Sequence, residues 1–307
     1  ILLLGSACER ETASEIAATL VDRLSQPIEI DGVLAHIRAS VGIATAGADG
    51  GGIDALMRRA DIAMYEAKKG GGERFAWFDN GMESELRRRN VLEAGIRAGI
   101  PRGEFVPYYE QQIDLLTGKL RGFEVLARWN HPDEGVIEPC EFIHVAEATG
   151  LISDLSMSVI RQALFEAKAW PEGLSIAVNV SPVQLKDPLL AQRFVQLLIE
   201  TGFPAQRLEI EITESSLFEN LDLAKTTVES LKNQDIRIAL DDFGTGYSSL
   251  AHLQALPFDR IKIDHSFVRL LVSDKQCDAL VQAIATLGKG LSIPLSAEGI
   301  ETATIQS

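Results

Sequence analysis

The sequence predicts an α/β chain: a small α/β unit over residues 1–80, followed by a (β/α) barrel over residues 81–307. Three observations carry this. At about 150 residues per domain, 307 residues suit two domains, and a hydrophobic content of 46% is ample for buried cores. From residue 100 onward, short strand-like segments alternate with helical periodicity, which is the rhythm of a parallel sheet. Six of those segments keep one apolar and one polar face, and this separates a closed barrel from an open sheet buried under helices on both sides.

In the first unit, strands are expected at Ile1–Leu4, Ala39–Ala44 and Arg74–Phe78. Ile16, Leu20 and Leu24 space a helix over Glu15–Leu24 that Pro27 ends. After the glycines at 50–52, Leu56, Ala60, Met64 and Ala67 mark one face of a helix over Asp54–Lys68. The polar stretch Glu83–Asn90 then leads into Val91, Leu92 and Ile96 as a connecting helix, with Arg87, Arg88 and Arg89 on a solvated face.

In the second unit, helices are expected at Leu155–Ala169, Pro188–Glu200, Leu217–Lys232 and Cys277–Lys289. Strands are expected at Phe123–Trp129, Ser175–Ser181, Leu208–Glu214, Ile236–Asp241, Arg260–Asp264 and Pro294–Glu298. Successive strand side chains point to opposite faces. One parity is apolar: Val125, Ile176, Val178, Ile210, Ile238, Ile261 and Leu295. The other brings Glu124, Asn179, Glu211, Asp241, Lys262 and Glu298 toward the barrel axis, with Asp242 beside Asp241. Polar residues at the C-terminal ends of barrel strands form the site.

Five carboxylates in one mouth need a counter-charge, since two unit charges at 4 Å repel by about 4 kcal/mol at a surface-like dielectric. Oxygen ligands without histidine or cysteine select hard divalent ions, Mg²⁺ or Mn²⁺. The pair Asp241–Asp242 suits two ions, the arrangement used in phosphodiester hydrolysis, and Lys262 suits a bound water or an anionic oxygen. The loop from Asp242 to Tyr247 supplies glycines beside the acids for closure over substrate. One buried glutamate such as Glu124 is more often structural, but six polar residues obeying one parity outweigh that reading. Glu214 and Glu301 break the parity and read as supporting or exposed.

Composition narrows the alternatives. A net charge of −15 disfavours binding to nucleic-acid polymers or anionic membranes, and the apolar runs fall far short of the ~18 residues of a spanning helix. The three cysteines, Cys8, Cys140 and Cys277, form no CxxC pattern, which fits a reducing, cytoplasmic setting. The five histidines show no metal-binding spacing, and no GxSxG elbow is present.

The motifs Gly122-Phe-Glu-Val-Leu-Ala-Arg-Trp-Asn-His-Pro132, Asn179-Val-Ser-Pro-Val-Gln-Leu185, Glu211-Ile-Thr-Glu214, Asp241-Asp-Phe-Gly-Thr-Gly-Tyr-Ser-Ser-Leu250, Lys262-Ile-Asp264 and Ala297-Glu-Gly-Ile-Glu-Thr302 resemble an EAL domain. The resemblance implies a TIM-like barrel that hydrolyses cyclic di-GMP to linear pGpG with two Mg²⁺ or Mn²⁺ ions. It implies Glu124, Asn179, Glu211 and Asp241 as metal ligands, Asp242 at the second metal, and Lys262 and Glu298 as the residues that position and activate water. It further implies Arg128 and Leu126 at the substrate, Glu214 as anchor of the Asp-Phe-Gly loop, and Glu301 and Asp264 lining the site. Val125 replaces the alanine of the naming motif, and Glu110–Gln111 replace a usual Gln-Pro at a nucleobase contact. The resemblance places a closing strand after Ser307 and makes a homodimer through this domain an expectation. A non-catalytic cyclic di-GMP receptor is the alternative.

The first 80 residues resemble the C-terminal half of a GGDEF domain, through Ala39-Ser-Val-Gly-Ile-Ala44 and Ala60-Asp-Ile-Ala-Met-Tyr-Glu-Ala-Lys-Lys-Gly70. The family's signature turn is expected before Ile1. Lys68 matches a phosphate-binding lysine, while Gly72 stands where that family has an arginine. GTP at this domain is therefore a regulatory expectation only.

Overall fold

The computed structural model describes residues 1–300 except 6–7, 31–32, 47–51, 219–220, 245–252, 254–255 and 271–274. The chain forms two compact units, Ile1–Leu92 and Glu93–Ser307.

The first unit carries α1 (Arg10–Ser25), a short hairpin of β1 (Ile28–Ile30) and β2 (Val33–Ala35), then β3 (Ser40–Ile43), α2 (Ile53–Lys69) and β4 (Arg74–Trp77). β3 and β4 pair in parallel. Helix α2 lies so close to β3 that a Cβ on Gly42 would meet the Ala60 carbonyl oxygen at 1.9 Å, so only glycine fits there. Ala13, Ala17, Ile62, Ala63 and Ala67 are buried, and the Trp77 indole donates to Ser14 Oγ at 3.0 Å. The expected strand at Ile1–Leu4 is not formed: these residues are exposed, and among the described residues β3 pairs with β4 alone, so no sheet edge takes them up.

Helix α3 (Asn80–Arg102) follows, and then the second unit's sheet. Its elements are β5 (Phe105–Ile113), β6 (Leu120–His131), β7 (Gly135–Ile137), α4 (Pro139–Thr149), α5 (Ile152–Ala167), β8 (Ser175–Val180), α6 (Pro182–Leu185) and α7 (Leu190–Thr201). They continue through β9 (Leu208–Thr213), α8 (Glu214–Phe218), α9 (Leu221–Lys232), β10 (Arg237–Phe243), β11 (Arg260–Ile263), α10 (His265–Leu270), α11 (Lys275–Leu291) and β12 (Leu295–Ala297). The strand order is β5-β6-β8-β9-β10-β11-β12, parallel from β6 to β12, in a strongly curled sheet. Among the described residues no pairing joins β12 to β5.

Beyond β7, α4, α6 and α10, which the sequence pattern did not single out, two features differ from the expectation. β5 is a full strand, antiparallel to β6, joined through a turn in which Thr117 N–H and Oγ1–H both donate to Asp114 Oδ1 at 2.8 Å. The expected single helix over Leu217–Lys232 is instead the short α8, begun at Glu214, and a separate α9. The apolar parity packs against the helices as expected: Ile176, Val178, Leu208, Ile210, Ile238 and Ile261 are fully buried. Beside them, Phe105, Trp129 and Phe142 form an aromatic cluster with centroids 5.0–6.0 Å apart. No helix among the described residues is long and apolar enough to cross a membrane.

Candidate active site

Because β6, β8, β9, β10, β11 and β12 run parallel, their C-terminal ends share one rim, and the polar parity converges there on a single ammonium. Lys262 Nζ lies 2.5 Å from Glu298 Oε1, 2.7 Å from Glu211 Oε2, 3.1 Å from Glu124 Oε2 and 3.3 Å from Asp241 Oδ1. Asn179 Nδ2 donates to Glu124 Oε1 at 2.8 Å. In register, Asn179 on β8 stands opposite Glu211 on β9, and Glu211 opposite Ala239 on β10. Five strands thus contribute one polar group each to a centre where Glu211 and Lys262 are almost wholly buried.

Asp242 arrives by a different route. Strict alternation would turn it away from Asp241, but the β10–β11 register shifts between Leu240 and Phe243, and Asp242 adopts φ of +55°. This bulge re-aims the side chain, at the strain cost of a non-glycine residue in the left-handed region. Asp242 N–H donates to Asp241 Oδ1 at 2.9 Å, and one carboxylate oxygen each of Asp241, Asp242 and Glu298 lie within 4.8 Å of one another. The following Gly244 has φ of +102°, and its N–H donates to Glu214 Oε2 at 3.0 Å. Glu214, which broke the parity, therefore reaches the loop from the first residue of α8.

Burial dominates the ionisation of these groups. It pushes Glu211 well above the ordinary carboxylate range against the pull of Lys262. Burial likewise raises Glu298 to about 7, and raises Asp242 with help from the charges of Asp241 and Asp264. Burial alone would lower Lys262, but Glu211, Glu124, Asp241 and Glu298 together hold it above its usual value. Asp264 goes the other way: burial is outweighed by hydrogen bonds from the Ser266 side chain and backbone and by neighbouring His265, which keep it low.

Arg128 and Leu126 share the face of Glu124 on β6 but lie outside the Lys262 cluster. Arg128 Nε sits 3.0 Å from Glu138 Oε2, with its guanidinium 5.4 Å from the Tyr108 ring centroid, and Leu126 pairs with Tyr108 across β5–β6. Glu110 stands directly opposite Glu124 in that ladder. Glu301 and the segment Thr245–Leu250 fall outside the described residues. Sequence reasoning missed His265, whose Nδ1 lies 3.0 Å from Asp264 Oδ2; a donor atom from each of these two and one from Glu298 fall within 4.8 Å of one another. Its place directly after the Lys262-Ile-Asp264 motif was the available signal.

The cluster fits a hard divalent cation. Every donor is an oxygen, four carboxylates share one ammonium, and Glu211 Oε1 is buried with no hydrogen-bond partner, an orphan acceptor that a cation would satisfy.

The family model described as EAL domain matches residues 93–307, and the one described as diguanylate cyclase, GGDEF domain, matches residues 1–74. An uncharacterized signaling protein of Caulobacter vibrioides is 43% identical over 302 residues, 98% of this chain and 37% of that protein. The cyclic di-GMP phosphodiesterase PdeR of Escherichia coli K12 is 34% identical over 305 residues, 98% of this chain and 46% of that protein. The chain thus spans less than half the length of these relatives. A solved structure described as PaMucR phosphodiesterase in complex with c-di-GMP superposes with a TM-score of 0.66 at 34% identity, over 70% of this chain and 89% of that one.

Proposed function

The chain belongs to the EAL-domain family, and from that premise we propose that it is a metal-dependent phosphodiesterase that hydrolyses cyclic di-GMP to linear pGpG in the cytoplasm. The observation that carries the reading is the convergence of Glu124, Glu211, Asp241 and Glu298 on Lys262, with Asn179 bonded to Glu124 and Asp242 beside Asp241 and Glu298.

Glu124, Asn179, Glu211 and Asp241 would hold one Mg²⁺ or Mn²⁺, and Asp241 with Asp242 a second. Bound there, the two ions supply Lewis-acid stabilisation of phosphoryl and leaving oxygens and acidify the attacking water. The protein's own groups do the rest. Glu298, whose Oε1 lies 2.5 Å from Lys262 Nζ, accepts a proton from the attacking water. Lys262, held charged by its four carboxylate neighbours, keeps an ammonium beside the attacking oxygen. Arg128 on the rim of β6 contacts phosphate, and Leu126 packs beside the nucleotide. The water oxygen bonds to phosphorus and one P–O3′ bond breaks; the departing 3′-oxygen takes up a proton from solvent, leaving a 5′-phosphate and a free 3′-hydroxyl. Glu214 keeps the bulged Asp241–Asp242 backbone in place through Gly244.

The test is conversion of cyclic di-GMP by the full chain with Mg²⁺ or Mn²⁺, followed by separation of the products. The reading predicts pGpG, abolished by chelator and by Glu124→Ala. Tight binding of cyclic di-GMP without metal-dependent cleavage would replace it with a receptor role.

A further inference from the structure

Five buried side-chain atoms among the described residues lack a hydrogen-bond partner: Ser25 Oγ, Gln184 Nε2, Glu211 Oε1, Glu214 Oε1 and Ser296 Oγ. Of these, only the amide nitrogen of Gln184 is a donor with no accepting capacity. Glu211 Oε1 belongs to the cation cluster. That leaves Glu214 Oε1 as an unspent carboxylate acceptor.

The residues that carry these two atoms lie on neighbouring elements that pack together. Gln184 is 1% exposed and lies on α6, just beyond β8; Glu214 is 3% exposed and opens α8, just beyond β9. β8 and β9 are adjacent parallel strands with Val180 opposite Ile212, and α6 packs against α8. The other atoms of both side chains are already committed. Gln184 Oε1 accepts from Ser181 N–H at 3.2 Å, closing a capping box in which Gln184 N–H donates to Ser181 Oγ at 3.3 Å. Glu214 Oε2 accepts from Gly244 N–H. The two atoms make no direct hydrogen bond to each other, so a buried donor and a buried acceptor left over on two packed helices is an arrangement that a single bridging water resolves.

We infer that Gln184 is a positioning residue for the metal cluster: its amide reaches Glu214 Oε1 through one bridging water, tying the cap after β8 to the carboxylate that holds the Gly244 backbone. The consequence is a strap between two groups of ligands. Asn179 lies two residues before the Ser181 cap, and Asp241 and Asp242 lie just before Gly244. With the strap in place the two sides keep a fixed spacing; without it, Glu214 can swing and the bulge at Asp242 loses its support.

This inference rests on the metal-dependent reading above, so its test separates the two. Gln184→Glu keeps an oxygen for the Ser181 N–H but replaces the donor with a carboxylate facing Glu214. Mn²⁺ affinity of the full chain is measured by electron paramagnetic resonance without substrate, alongside hydrogen exchange of the segment 237–244. Q184E is expected to weaken Mn²⁺ binding roughly 10-fold or more and to speed exchange in that segment. The swapped pair Gln184→Glu with Glu214→Gln, which restores one donor and one acceptor, is expected to recover most of both. A cap-only role would lower the melting temperature but leave Mn²⁺ affinity unchanged, and the swap would rescue nothing; either result overturns the strap. If Q184E does not fold, Gln184→Met is read in the same way. If the parent chain binds no Mn²⁺, it is the functional reading that fails.

Discussion

Two ends of the same sheet interior carry the same kinds of residue and differ in what those residues can do. Glu209 and Glu211 lie two apart on β9, and Arg260 and Lys262 two apart on β11, all on one face. At the N-terminal end, Arg260 Nε meets Glu209 Oε1 at 2.9 Å with the side chains 8% and 2% exposed. At the C-terminal end, Lys262 meets Glu211 at 2.7 Å with the side chains 3% and 0% exposed. Burial therefore does not separate the two pairs; the ratio of charges does. Glu209 is matched one to one by Arg260, and the other arginines at that end, Arg121 and Arg237, are not fully buried. Lys262 is instead shared by Glu124, Glu211, Asp241 and Glu298, with Asp242 adjoining. A matched buried pair supports the fold, whereas an anionic excess calls for a further cation.

The largest expected effect comes from breaking the unmatched end. Lys262→Met is expected to cost about 4 kcal/mol of transition-state stabilisation, roughly 10³-fold in kcat, while the protein stays folded. Steady-state turnover of cyclic di-GMP with circular dichroism as the folding control checks it.

Breaking the matched end is expected to act on stability instead. Arg260→Ala strands Glu209 and is expected to destabilise by about 3–5 kcal/mol in chemical denaturation, with metal dependence of turnover retained in the folded fraction. Replacing both partners, Glu209→Leu with Arg260→Met, is expected to recover most of that loss, because neither charge then remains buried alone.

A pH series sharpens the contrast without mutation. Glu211, Asp242 and Glu298 all have folded-state pKa values above their ordinary ones. The folded state thus binds their protons more tightly than the unfolded chain does. Their contribution is fully present below the ordinary carboxylate pKa, about 4–4.5, and is lost for Glu298 as pH rises through about 7. Metal-free protein is expected to melt lower at pH 7.5 than at pH 5.5. Mg²⁺ binding competes with these protons, so the gain in melting temperature from Mg²⁺ is expected to grow over the same interval. Thermal scans with and without Mg²⁺ decide both points.

The smallest effect is expected at the rim. Arg128→Lys keeps the charge but loses the planar fork, and is expected to raise KM roughly 10-fold while leaving Mn²⁺ affinity as in the parent.

Much of this was legible because a strand's period of two is strict. Parity alone collected Glu124, Asn179, Glu211, Asp241, Lys262 and Glu298, and the structure brings the same six together. Parity could not predict how Asp242 joins them, since that depends on a left-handed φ inside a bulge. Nor could it give Glu214 a partner, because the Gly244 amide lies 30 residues away. β5 escaped notice because Pro107 and the polar run Glu110–Gln112 obscure its alternation, although Thr117–Gly118 marked the turn that folds it onto β6. Ile1–Leu4 misled in the opposite sense: an apolar run becomes a strand only where a sheet edge accepts it.

The most direct test of the difference between the two ends is Mn²⁺ binding, measured on Glu209→Gln and Glu211→Gln side by side. The two variants make the same chemical change on the same face of one strand, two residues apart. Folded E209Q is expected to bind two Mn²⁺ per chain like the parent, though it melts lower; E211Q is expected to lose tight Mn²⁺ binding. Equal Mn²⁺ affinity in the two variants would contradict the assignment of the metal centre to the C-terminal end of the sheet.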